Sequence, residues 1–175
     1  MIESLIVLML LLAAFFFFYD FAYGIATRLL LTHGAARVAR AETVGFNRFH
    51  QTKALRVATI PVAGERLVPG RDSGRGVSSP AGELALMRTY LSSENEAEAD
   101  GILDYERWES LRFTSDSDGT RSEVRAEMSL PLLLPAKFGR LFGIEPARST
   151  DAAAGEQTLR ARWGVEDHAS FYLSR

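Results

Sequence analysis

From Leu5 to Tyr19 every side chain is apolar or aromatic, and after Asp20 the run resumes as FAYGIA before Arg28 and the triplet Leu29, Leu30 and Leu31. A helix needs about 20 mostly apolar residues to cross roughly 30 Å of hydrocarbon, and Leu5 to Ala26 supplies that length. The stretch is therefore read as a membrane-inserted helix. A cleaved secretory signal competes with this reading, but it wants a basic start, an apolar core of about 7 to 15 residues and a small-x-small cleavage site. Glu3 has the wrong sign for that and the apolar run is too long. A buried core helix is the remaining alternative.

Helical character does not stop at the membrane. The stretch HGAARVARAETVGFNRFHQTKALRVA has no proline until Pro61, is rich in Ala, Leu, Arg and Lys, and offers only Gly34 and Gly45 as weak points. It predicts one rod from Ile2 to Arg56, roughly 80 Å long, whose second half stands in water or against protein. His33, Arg37, Arg40 and Arg48 recur near one side of that rod, with apolar contacts supplied by Leu31, Ala35, Val38, Phe46 and Phe49. Such a stripe serves either as a solvated face near lipid headgroups or as a surface for subunit packing. Six Lys and Arg residues between Arg28 and Arg56, against no basic residue in front of the span, would by the positive-inside rule keep the C-terminal domain in the cytoplasm.

Two further charged residues border the span besides Glu3. Asp20 lies about 25 Å along the helix from Glu3, at the far side of the hydrocarbon, and Arg28 closes the apolar run two turns later. Glu3, Asp20 and Arg28 are the candidate residues for assembly, by register and charge neutralisation. A carboxylate at the mouth of an apolar helix is costly unless it meets a cation, so Glu3 is a functional candidate. Paired with the N-terminal amine of a neighbouring helix it sets the axial register of the two; otherwise it lies in the headgroup layer. Asp20 reads as an interfacial acid.

The order of four segments carries a family resemblance. IESLIVL continuing into RLLLTHGAARVARA, then ILDYERWESL, SLPLLLP and VEDHASFYL, resembles the TadE-like minor pilins, or pseudopilins, of Tad-type pili. This implies a structural subunit and no enzyme. It implies a single-pass protein of the bacterial inner membrane with its C-terminal domain periplasmic, assembled through the N-terminal helix. Its implied partners are other pilin or pseudopilin subunits, inner membrane lipid, a pilus assembly platform and a prepilin peptidase. In pilin-like proteins a basic leader ends in Gly and a Glu stands at the fifth mature position; Glu3 corresponds to that Glu but stands third, with neither Gly nor leader in front. Either translation starts further upstream, which would also return positive charge to the cytoplasmic end, or the processing does not take place. The alternative function is a single-pass anchored extracytoplasmic binding or assembly protein that never enters a filament.

The remainder predicts an α+β domain, a helix packed on an antiparallel sheet. Residues 57–82 read as an irregular linker with a boundary near Pro61, and 83–175 as the small domain. A helix from Gly82, broken at Ser92 and Ser93, places Leu84, Met87 and Leu91 on one side. Strands are expected at Ser110–Ser115, Ser122–Leu130 and Thr158–Val165. The last two alternate, with Val124, Ala126, Met128 and Leu130, and Leu159, Ala161, Trp163 and Val165, facing a core under the Leu84 helix. Asp116, Asp118 and Gly119 fit a hairpin turn better than a calcium loop, whose twelve-residue spacing and closing Glu are missing. KFGRLFG reads as a short helix or exposed apolar loop.

Chain length and chemistry narrow the field. At 175 residues there is room for one modest domain plus appendages. A formal charge of −2 makes no basic field, so nucleic acid is not an expected partner. With zero cysteines there is no disulfide frame, thiolate zinc site or cysteine nucleophile. His33, His50 and His168 have no metal-ligand spacing. Asp167 and His168 are adjacent, which on a strand turns them to opposite faces. GRDSGRG lacks the Lys-Ser/Thr pair of a phosphate loop. No cofactor is expected.

Overall fold

A computed structural model describes residues 2–70, 80–117, 121–131 and 156–166 of the chain. It opens with helix α1, Ile2–Thr43, followed by α2, Arg48–Thr59. The single rod expected from Ile2 to Arg56 is thus two helices, and the break has a local cause. Gly45 adopts φ 84°, Phe46 N donates to Ala41 O at 2.9 Å and Gly45 N to Glu42 O at 2.8 Å. This is the glycine-terminated helix end in which two backbone bonds satisfy the last carbonyls, and only glycine enters that backbone region without strain. Asn47 then starts the next helix, its Oδ1 accepting from His50 N at 3.0 Å.

The reversal folds α2 back along α1 as a hairpin. Gly34 makes the close approach possible: a Cβ there would meet Leu55 Cδ1 at 2.7 Å and Ala58 Cβ at 3.4 Å. Segment 57–82 is more ordered than an irregular linker where it is described. After a 3-10 turn at Ile60–Val62 comes the short strand β1, Arg66–Val68, which pairs antiparallel with β2, Asp104–Tyr105. Val62 and Ala63 are core residues. Helix α3, Pro80–Ser92, stops where a break was expected, and α4, Glu96–Asp100, starts under an Asn95 cap.

Three strands form the main sheet in the order β3-β4-β5, all antiparallel. They are β3, Arg112–Ser117, β4, Arg121–Pro131, and β5, Glu156–Glu166, each within a few residues of its expected span. Ser117 faces Ser122 across β3 and β4, an antiparallel pairing that agrees with a hairpin, although Asp118 and Gly119 lie outside the described residues. So do SLPLLLP beyond Pro131, KFGRLFG and the Asp167–His168 pair.

What covers the sheet differs from expectation. Val124, Ala126, Met128 and Leu130 are buried as the alternation requires, but they meet Leu31, Ala35, Val38 and Ala39 of α1 rather than α3. Those α1 residues recur at three- and four-residue spacing and, Leu31 aside, are small, which makes a strip on which a sheet can lie. Leu84 of α3 is 45 % exposed. Helix α3 instead turns Tyr90, Leu86 and Met87 to a second cluster with Ala99, Leu103, Tyr105 and Trp108. There the Trp108 ring stands 4.9 Å from Tyr105 and 5.5 Å from Tyr90.

Cations of α2 tie the two clusters together. Lys53, almost wholly buried, donates through Nζ to Leu91 O at 2.9 Å and Ser93 O at 2.6 Å, closing the C-terminal end of α3, where unpaired carbonyls and the helix dipole favour a positive charge. Desolvation lowers its pKa from 10.5, partly offset by Glu98. Arg56 lies 5.3 Å from the Trp108 ring centre with its Nη1 3.3 Å from Tyr90 Oη, and Arg48 lies 4.8 Å from that of Phe113.

Replacing Gly34 by leucine is expected to push α2 off α1 and lower stability by about 1–3 kcal/mol. Gly24→Ala, with nothing within 4 Å of the new methyl, should cost nothing; urea melts of the detergent-solubilised protein compare the two. Stability should also fall as pH rises through 10. Burial raises the Tyr90 phenol above 10.0, as burial and then the Glu83 hydrogen bond raise that of Tyr105. The unfolded chain therefore ionises first, and the folded state loses ground once pH exceeds the unfolded value. Lys53 acts in the opposite direction over the range just below 10.5. Tyr105→Phe should start less stable at neutral pH, having lost its bond to Glu83 Oε1, yet fall less steeply on the alkaline side.

Candidate membrane anchor and its junction

Among the described residues, the first half of α1 is almost wholly uncovered by the domain. From Glu3 to Ala22 only Ala13 and Asp20 are even half-covered, and Leu5 to Leu12, Phe15 to Tyr19 and Phe21 all stand exposed. Burial begins at Tyr23 and becomes complete at Thr27. About 20 residues, roughly 30 Å of helix, therefore project from the domain, which is the thickness of a hydrocarbon layer. Because every backbone bond of that segment is internal to the helix, nothing in its main chain requires water. α1 is thus long and apolar enough to cross a membrane.

The three candidate charges are spread along this helix rather than gathered. Glu3 is exposed in its first turn, Asp20 is half-buried near the domain, and Arg28 is exposed two turns later. Glu3 lies roughly 38 Å along the axis from Arg28, the one cation of the three, so Arg28 cannot neutralise it within one chain. Among the described residues no three His, Asp or Glu side chains gather to hold a metal ion. His50 Nδ1 is 2.6 Å from Asn47 Oδ1, a partner within its own helix cap.

An arginine within the ILDYERWESL segment, not among the candidate site residues, makes the junction. Arg107 Nη1 donates to Tyr23 Oη at 2.6 Å and to Val62 O at 2.9 Å, and its guanidinium lies 5.9 Å from the Tyr23 ring centre. Arg107 sits in the 3-10 turn Glu106–Glu109, held by its backbone N on Ala63 O at 3.0 Å and by Glu106 N on Glu65 O at 2.9 Å. Tyr19 stacks on Tyr23 at 6.2 Å, so an aromatic pair marks the level at which the bare helix enters the domain. Separated by 84 residues, Tyr23 and Arg107 have no sequence pattern in common; only the return of the chain through α2 and β1 unites them.

No protein-family model matches the chain, and no curated protein or solved structure was found that resembles it. The functional reading accordingly rests on this geometry and on the sequence resemblance.

Arg107→Ala is expected to destabilise the junction by about 1–3 kcal/mol, since the Val62 carbonyl and Tyr23 hydroxyl lose a charged donor. Tyr23→Phe removes one bond only and should cost less. Limited proteolysis of detergent-solubilised protein should then cut between residues 60 and 70 faster in the arginine variant than in the tyrosine variant.

Proposed function

We propose that the protein is a structural subunit anchored by α1 in the bacterial inner membrane, with its small domain outside the cytoplasm. Through the same helix it assembles as a minor pilin or pseudopilin of a Tad-type pilus. The observation that carries this is the division of α1 into a bare apolar half and a half that forms the core of the domain. A helix built this way can leave lipid for a bundle of like helices without disturbing the domain, because among the described residues the domain covers the helix only from about Asp20 onward. Glu3 supports the reading as the single acid in the outer turn, where a neighbour's N-terminal amine would neutralise it and select one axial register. In lipid, helices associate by packing rather than by hydrophobic exclusion, which suits the all-round aromatic block from Phe15 to Tyr19.

The positive-inside conflict weakens on counting which cations are available. Of the six basic residues between Arg28 and Arg56, Arg48, Lys53 and Arg56 are engaged with Phe113, Leu91, Ser93, Tyr90 and Trp108 of the domain. That leaves Arg28, Arg37 and Arg40 as the exposed cations of α1 itself. The alternative reading is an anchored extracytoplasmic protein that stays in the bilayer, and it shares the anchor but not the role of Glu3.

Glu3→Gln separates the two. In a pilin-like subunit the variant should remain at wild-type level in the inner membrane while its amount in the sheared surface fraction drops at least tenfold. Equal amounts of wild type and variant in a surface fraction, or no wild-type chain there, would discard the filament role. Edman sequencing of the membrane form adds a second readout: a processed N-terminus is expected for a pilin and an unprocessed one for a simple anchor.

A further inference from the structure

Beyond the anchor, the domain carries two exposed surfaces of opposite charge. The first runs up α1 past the junction, where Arg28, His33, Arg37 and Arg40 are all exposed. Thr32, His33, Ala36, Arg37 and Arg40 line an open groove of about 310 Å³ with Trp163 of β5. Trp163 is 40 % exposed, although it shares the inward-facing side of β5 with buried Ala161. A large aromatic flanked by arginines is the composition of an interface centre rather than of ordinary surface. The second surface is the α4 segment, where Glu94, Glu96, Glu98 and Asp100 are exposed, with Glu109 further along the chain. Among the described residues none of these arginines or acids forms an ion pair.

The two surfaces stand at one height. Leu55 and Ala58 flank Gly34, so Lys53 of the antiparallel α2 lies level with the turn Ala36–Val38 of α1. Lys53 Nζ holds Ser93 O, and Glu94 is the next residue. Arg37 and the acidic segment are therefore level to within about 10 Å along the α1 axis. They belong to different sides of the molecule, because α2 contacts both α1 and α3 and stands between them.

We propose that the acidic α4 segment of one copy docks into the basic α1/β5 groove of the next, a head-to-tail lateral contact between subunits standing parallel in one bilayer. This rests on the anchored reading above, which sets copies upright at a common height. Lipid headgroups are the other anionic occupant for such a stripe, and distance argues against them. The headgroup layer adds only about 5–8 Å to each side of the hydrocarbon, whereas Arg37 and Arg40 stand roughly 20–25 Å beyond Tyr23; only Arg28 is within reach. A contact between two different surfaces of the same chain leaves one of each unfilled at the ends, so it propagates as an open array instead of closing as a dimer.

The absence of cysteine from the chain makes the test direct. Two differently tagged full-length copies, one His33→Cys and one Ala97→Cys, are co-expressed and treated in membranes with a short bis-maleimide; both positions are exposed and leave the charges intact. The mixed pair should cross-link and neither like pair should. Arg37→Glu with Arg40→Glu in the first copy should lower the mixed yield roughly fivefold or more, the loss expected for two surface ion pairs. Glu94→Arg with Glu96→Arg in the second copy should restore it. Mixed yield no greater than that of the like pairs, insensitivity to charge reversal, or cross-linking of the His33→Cys copy only to a thiol of another protein would each overturn the contact. A membrane-borne chain failing these tests loses the lateral contact alone; a chain absent from the membrane fraction loses the anchored reading as well.

Discussion

One strip of α1 is shared by both layers that make the domain. Leu31, Gly34, Ala35, Val38 and Ala39 present so little side-chain bulk that a sheet can lie on one side of the helix and α2 can close on the other. Apolar area removed from water along this strip is the main favourable contribution to the fold, at about 25 cal/mol per Å². It can be collected only because the helix continues unbroken from the bare segment into the core. The exposed first half and the buried second half are therefore one mechanical object, and the tilt of the domain relative to the projecting helix is set by it. The Arg107 clamp on Tyr23 and Val62 then secures the lower edge, at the level where the apolar helix emerges.

The helix reversal at Gly45 redistributes the charges. On one continuous rod, His33, Arg37, Arg40 and Arg48 would share a face; with the chain turned back, Arg48, Lys53 and Arg56 lie against aromatic rings of the domain and the α1 arginines do not. The three cations lie over Phe113, Phe49 and Trp108 and donate to carbonyl or hydroxyl oxygens; Lys53 is buried and Arg56 half-buried, and these partners compensate that burial, while Arg48 stays exposed. Outside, the others form the stripe beside Trp163. Two populations of basic residue with different work thus arise from a single four-residue turn.

Much of the sheet was legible beforehand because period-two alternation is a local property. Val124, Ala126, Met128 and Leu130 announce a buried face whatever covers it, and the observed strand limits lie within two residues of those expected. The α+β class and the apolar helix were legible for the same reason. The cover was not: Leu84, Met87 and Leu91 have helical spacing, and so do Leu31, Ala35 and Val38, and spacing does not say which strip meets which sheet. Nor did the helix break stand out, since Gly45 alone is only a weak breaker. Its effect depends on Ala41, Glu42 and Phe46 completing the terminal hydrogen bonds of α1 and on Asn47 capping α2.

By itself, the sequence determined that an apolar helix of spanning length opens the chain, bounded by Glu3 and interrupted near its far end by Asp20, because length and hydropathy are additive along a segment. It likewise determined three strands and their inward residues. Tertiary structure alone decided where the bare part of that helix ends and that Arg107 meets Tyr23. It also decided that α1 roofs the sheet and that a basic groove and an acidic segment stand level on different sides. Each of these depends on closing a loop of dozens of residues, and the register of such closures is set by packing at Gly34 and Leu55, which no local pattern encodes.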